Sequence, residues 1–131
     1  MAGLSKEQMH ELRQLLEQQR KQLQDEIREE LLRSDEEHYI DLAERVHDMG
    51  EQSVADLLAD LNITLVDHQL KVLKEVEDAL IRMDMGDYGI CIDCGDEIGY
   101  ERLRAYPAAL RCIRCQGLHE KTFAHENNPT L

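Results

Sequence analysis

Residues 5–45 read SKEQMHELRQLLEQQRKQLQDEIREELLRSDEEHYIDLAER, a stretch without a single proline or glycine. Met9, Leu12, Leu16, Leu23, Ile27 and Leu31, with Leu15 and Leu32 beside them, fall at steps of three, four and seven. That spacing makes one stripe of an amphipathic helix, and the rest of its surface is Glu, Gln, Lys and Arg. Ser5 followed by Gln8 forms a capping box at its start. A second stripe, Val54, Leu57, Leu58, Leu61, Leu65, Val72, Val76 and Leu80, runs from Glu51 to about Asp84. Between the two lies Asp48-Met49-Gly50, with the only glycine between Gly3 and Gly86, so the chain is expected to reverse there. Two long stripes joined by a tight turn bury against each other as an antiparallel helical hairpin. Arms of about 34 residues give a coiled-coil rod roughly 50 Å long with its tip at residues 48–53.

Composition supports a mainly α chain. The 131 residues hold 15 Lys+Arg against 28 Asp+Glu, for a net charge of −13. Aromatics are 4% of the chain and there is no Trp, too few for a β-sandwich or barrel of this size. The acidity argues against DNA binding, which needs clustered Lys and Arg. No apolar run is long enough to span a bilayer, so no membrane partner is expected. The N-terminus lacks the apolar core of a signal peptide, which points to the cytoplasm, where thiols stay reduced. Residues 1–90 carry 10 basic and 22 acidic residues, net −12, whereas residues 91–131 carry 5 and 6. All four cysteines and both prolines lie in the second part. The expected division is therefore a hairpin over residues 1–86 and a cysteine-bearing domain with a C-terminal helix over residues 87–131.

Cys91-Ile92-Asp93-Cys94 and Cys112-Ile113-Arg114-Cys115 form a C-x2-C-x17-C-x2-C pattern. Each pair turns two thiolates toward one ion from a tight knuckle, and two knuckles supply the four soft sulfurs of a closed tetrahedral Zn²⁺ site. Gly95 permits a positive-φ step in the first knuckle. With no open coordination position the zinc is expected to be structural rather than catalytic, supplying much of the folding free energy of a short segment. Disulfides or redox dithiols are the competing reading, without a secretion signal or βαβ pattern to favour them. His119 and His125 follow downstream and are read as solvated rather than as ligands. Arg102, Arg104, Arg111 and Arg114 are read as ion-pairing residues, with a partner surface as the sharper alternative.

Gly86-Asp87-Tyr88-Gly89-Ile90-Cys91-Ile92-Asp93-Cys94-Gly95-Asp96-Glu97-Ile98-Gly99, then Arg102-Leu103, Ala105-Tyr106-Pro107 and Cys112-Ile113-Arg114-Cys115, resembles the DksA/TraR family of bacterial zinc-finger regulators. The resemblance is dense over about residues 80–118 and loose upstream. It implies a coiled-coil hairpin on a small zinc module, inserted into the secondary channel of RNA polymerase to alter initiation. It also implies a monomer without enzymatic activity or direct DNA contact, acting in the stringent response. The family's acidic hairpin tip, Asp-x-x-Asp-x-Ala, corresponds to Asp48, Glu51 and Ser53: Asp48 matches, Glu51 keeps the carboxylate but adds a methylene, and Ser53 replaces the alanine, so the tip's charge survives while its shape does not. Three positions that are basic in family members binding guanosine tetraphosphate hold Glu75, Tyr106 and Gln116. A polyanion needs cationic donors, so weak or absent alarmone dependence is expected. Two other readings stand beside this one. The chain could be a zinc adaptor of the same fold with another protein partner. Alternatively, Asp48 and Glu51 could hold Mg²⁺ and assist transcript cleavage.

Overall fold

A computed structural model of the protein describes residues 3–34, 36–49, 52–61 and 63–127, with the side chains of 123–127 outside the description. Ser5 opens the first helix, α1 (Lys6–Arg33), with the anticipated capping box: its hydroxyl accepts from the Gln8 N–H, and the Gln8 side chain accepts from the Ser5 N–H. The chain continues through α2 (Glu37–Asp48), α3 (Val54–Asp60) and α4 (Asp67–Met85), then α5 (Tyr100–Ala105) and α6 (Ile113–Asn127). Among the described residues the extended structure is a single bridge between Ile90 and Glu97. The chain is mainly α, built on a long antiparallel helical pair with a four-cysteine module at its base.

The long arms are α1 and α4, which pack along each other. Arg13 near the start of α1 donates to Asp84 near the end of α4 at 2.9 Å, which fixes the antiparallel sense. Each arm differs from the expected single helix. Residues 5–45 break at Ser34, whose hydroxyl donates to the Leu31 carbonyl at 2.7 Å and accepts the Glu36 N–H at 3.3 Å. Such local side-chain bonds compete with the helical ladder and end it. On the other arm the Ile63 N–H reaches back to the Leu58 carbonyl at 3.1 Å. Ile63, Thr64 and Val66, all β-branched, then lower helix propensity up to the start of α4.

These two breaks fold the chain back on itself. α2 packs against α1, and α3 against α4. Ile27 and Leu31 of α1 share one buried cluster with Leu42, Ala43 and Val46 of α2, with Val54, Ala55 and Leu58 of α3, and with Val66 and Leu73. The chain thus runs out along α1, back along α2, out along α3 and back along α4. The last turn of α1 and the first turn of α4 mark the far end. Of residues 48–53, expected at the tip, Gly50 and Glu51 lie outside the described residues, and Ser53 is held beside the middle of the rod, because its Oγ donates to Glu77 Oε1 of α4 at 2.7 Å.

At the base, α4 closes on Gly86 at φ 84°, with the Asp87 N–H bonded to the Arg82 carbonyl at 2.9 Å. The cysteine module follows, but it has no core of its own. Leu12, Leu16, Val76, Ala79, Leu80 and Met83 of the arms are buried in one cluster with Tyr88, Cys91, Ile98, Leu103, Ala108, Ala109 and Cys115. The Tyr88 hydroxyl, buried in that cluster, donates to the Pro107 carbonyl at 2.7 Å. The Tyr100 hydroxyl donates to Glu11 of α1, a second tie between module and arm.

Candidate functional site

The first knuckle is built from backbone hydrogen bonds. The Gly95 N–H closes on the Cys91 carbonyl at 3.1 Å, the Cys91 N–H donates to Asp96 at 2.8 Å, and Gly95 has φ 78°. The second pair sits at the start of α6, where the Cys115 N–H points at Cys112 Sγ at 3.5 Å. An Ile92 N–H bond to the Leu110 carbonyl, 2.9 Å, ties the two knuckles together. All four sulfurs lie within 4.8 Å of one another, and Cys94 and Cys112 are 3.8 Å apart. A tetrahedron with metal–sulfur bonds of about 2.3 Å has edges of about 3.8 Å, so the donor set fits one zinc ion.

The electrostatics agree. Burial pushes the Cys91 thiol up, but backbone N–H groups of Cys94, Cys112 and Asp93 outweigh it and bring the pKa down to about 6. Burial and the neighbouring sulfurs push Cys115 up to about 12. Four thiols this close cannot all ionise unaided, and a divalent cation at their centre removes the conflict. The Arg114 guanidinium lies against the Cys94 sulfur, and that interaction raises its own pKa. The cysteines are thus positioned to bind one metal ion, and no histidine joins the cluster among the described residues. Cys91 and Cys115 are buried, Cys112 is half-buried and Cys94 is exposed; four cysteine donors fill a tetrahedral ion's coordination, which makes the site a structural one. Arg111 pairs with Asp93 at 2.8 Å and Arg114 with Asp96 at 3.5 Å, the ion pairing read from the sequence.

The other candidate residues fall in two places. Asp48 is the last residue of α2, and Ser53 caps α3 by accepting the Asp56 N–H at 3.0 Å while bonding Glu77. Glu51, the third member of that set, lies outside the described residues. Glu75, Tyr106 and Gln116, distant in sequence, line one small cleft of about 140 Å³ with Ala109, Arg111 and His119. Its mouth is crossed by a hydrogen bond from the Tyr106 hydroxyl to Glu75 Oε2, 2.8 Å. Burial, followed by that bond, raises the Tyr106 pKa to about 12, so the phenol stays neutral. Three of the cations nearby are engaged. Lys74 lies between Asp56 and Asp78 at 3.5 and 3.4 Å, Arg111 is on Asp93, and Arg102 donates to the Arg111 carbonyl at 3.0 Å.

Sequence reasoning did not find Glu77. It is the one charged side chain buried among the described residues, and the signal that could have found it is its place directly after Val76 in the apolar stripe of α4.

Comparison with known proteins follows this geometry. Residues 86–121 match the prokaryotic dksA/traR C4-type zinc finger. The RNA polymerase-binding transcription factor DksA of Escherichia coli (strain K12) is 32% identical over 117 residues, covering 89% of this chain and 74% of that protein. Its namesake from Buchnera aphidicola is 34% identical over 118 residues, with the same two shares. Among solved structures, transcription factor DksA2 from Pseudomonas aeruginosa superimposes with a TM-score of 0.61 at 31% identity, over 95% of this chain and 92% of that one.

Proposed function

The chain belongs to the DksA/TraR family, and from that membership we propose that it binds RNA polymerase, enters the secondary channel with its helical hairpin and modulates initiation without contacting DNA. The carrying observation is the 32% identity to a polymerase-binding DksA over 89% of the chain, together with a closed four-cysteine centre that leaves no position for catalysis. The chain is a DksA-like regulator. In this reading the zinc module is a rigid base, and it shares its core with the arms it holds. The net −12 of residues 1–90 favours a basic contact surface on the partner. Asp48, Glu51 and Ser53 are the proposed effector residues, acting in a cytoplasmic monomer. The absence among the described residues of a helix able to cross a membrane is consistent with that location.

Guanosine tetraphosphate has little or no part in this proposal. Glu75, Tyr106 and Gln116 meet in one cleft, and Lys74 and Arg111 beside it are already paired with carboxylates. A tetraphosphate entering there would meet a carboxylate in place of cationic donors.

The folded-back arms favour one further reading, a zinc adaptor that uses the same surfaces on a different protein. Pull-down of core RNA polymerase by the zinc-loaded chain separates the two. Co-purification and a change in promoter-specific transcription are expected, and failure to retain core enzyme would leave the adaptor.

A further inference from the structure

Half of the buried Glu77 carboxylate has a partner and half does not. Ser53 donates to Oε1 at 2.7 Å, while Oε2 is buried and has no hydrogen-bond partner among the described residues. The residue is only 8% exposed. A carboxylate oxygen withdrawn from water without a donor is costly, so Oε2 is a strong acceptor for any donor that reaches it. Glu77 lines a cleft of about 210 Å³ where α1, α3 and α4 meet.

The lining of that cleft has a linear pattern. Asp56, Glu77 and Asp78 belong to one end and Asp84 to the other, with Leu80 and Ile81 between them. Glu77 and Asp84 are seven residues apart on α4, so they share a face at about 10 Å separation. Ile81 between them is 53% exposed, an apolar strip bounded by carboxylates. The cleft already accommodates one ammonium, since Lys74 Nζ lies between Asp56 and Asp78 at 3.5 and 3.4 Å. Arg13 takes one oxygen of Asp84 at 2.9 Å. Arg20, on the α1 wall, pairs with no carboxylate among the described residues. These carboxylates are strung along the cleft and do not converge. Among the described residues the four cysteines are the one group of acidic, cysteine or histidine side chains close enough to hold a metal ion. A bare divalent cation therefore finds no cage here, and the ligand that fits must be extended.

We propose that this cleft binds a linear aliphatic polyamine, with one terminal ammonium on Glu77 Oε2, the methylene chain over Ile81 and the other ammonium at Asp84. An anion would face four carboxylates, and a lone ammonium would use only one end. A chain with cationic ends and an apolar middle answers both features at once. Its ammonium supplies the charge-assisted donor that Oε2 lacks. Reaching that oxygen requires a wall side chain to turn, and the long, flexible side chains of Arg20 and Lys74 stand there. The site is independent of the polymerase reading.

Because the whole chain is acidic, the test must separate a site from diffuse attraction. Calorimetric titration of the full zinc-loaded chain at physiological ionic strength uses two terminal diamines of equal charge, diaminopropane and diaminoheptane. One diaminoheptane should bind per chain, several-fold more tightly than diaminopropane. Glu77→Gln keeps the shape and still accepts the Ser53 bond, yet it should weaken diaminoheptane by about tenfold or more. Asp84→Asn, at the exposed end, should bring diaminoheptane down to the affinity of diaminopropane. Glu29→Gln removes the same charge from an exposed position of α1 and should change nothing. Should Glu77→Gln lose helix by circular dichroism, the comparison of Asp84→Asn with Glu29→Gln decides. No saturable binding, equal affinity for the two diamines, or equal weakening by Glu29→Gln and the cleft variants overturns the site. Binding that survives both Glu77→Gln and Asp84→Asn overturns it as well.

Discussion

Tyr88 is the largest fully buried side chain among the described residues, and its one polar atom is spent on the Pro107 carbonyl. Burial also raises its pKa, so the hydroxyl remains a donor through the neutral range. Tyr88→Phe keeps the ring packing but leaves a buried carbonyl without its donor, at a cost of about 1–3 kcal/mol. Chemical denaturation of the zinc-loaded chain should register that loss, and an unchanged midpoint would mean that water replaces the donor. The cysteines act at the same scale. Cys112→Ser removes one of four sulfurs arranged on tetrahedral edges, and elemental analysis should find the variant depleted of its one zinc per chain. Because Cys91 and Cys115 belong to the cluster that also holds Leu12 and Met83, hydrogen exchange should quicken over residues 87–127 and at the base of the arms. The remainder of the arms should stay helical.

At the scale of elements, the long pair α1 and α4 carries two separate apolar clusters, one at the base and one toward the far end. Leu12 and Leu73 are each fully buried, in different clusters. Truncation of either to Ala should cost about 2–5 kcal/mol, but the damage should appear in different places. Leu12→Ala should speed amide exchange in the cysteine module, and Leu73→Ala should speed it in α2 and α3. Identical exchange maps for the two variants would show that the clusters unfold as one unit. The exposed Arg13–Asp84 pair, by contrast, should be worth under about 1 kcal/mol.

The whole molecule is a strongly acidic hairpin on a nearly neutral base. Its binding to core polymerase should weaken as salt rises, because exposed charges more than about 10 Å apart are screened at 0.1 M ionic strength. Affinity insensitive to salt would point to an apolar interface instead. Asp48→Asn should abolish the transcriptional effect while leaving polymerase binding within several-fold, since one side chain at the end of a helix contributes little to a large interface. An unchanged effect would remove Asp48 as the effector. Replacing three cationic contacts, each worth roughly 1.5–3 kcal/mol, should leave little alarmone response. Transcription with guanosine tetraphosphate, on polymerase lacking its other alarmone site, should gain little or nothing. A severalfold gain would mean that the Glu75–Tyr106 cleft opens to the ligand.

Local chemistry was legible in the residues themselves. Ser5 and Gln8 state where α1 begins, and Gly86 states where α4 ends. The C-x2-C pairs announce a metal centre because two neighbours in a knuckle need only their own backbone to aim their sulfurs. The helical character of both arms was equally plain, since a stripe at 3.6-residue spacing reports on one helix at a time. What periodicity cannot report is which stripe lies against which. The same leucines satisfy one straight hairpin or two arms folded back, and the choice falls to contacts between residues far apart in the chain. Ser34 capturing the Leu31 carbonyl, Ser53 reaching Glu77, and Ile27 meeting Val46 and Val54 in one cluster decide it. The meeting of Glu75, Tyr106 and Gln116 in a single cleft is of the same kind. Helices and ligand knuckles are written in short-range spacing. The course of the rod depends on burial of the same apolar face against competing partners, and only the tertiary structure selects among them.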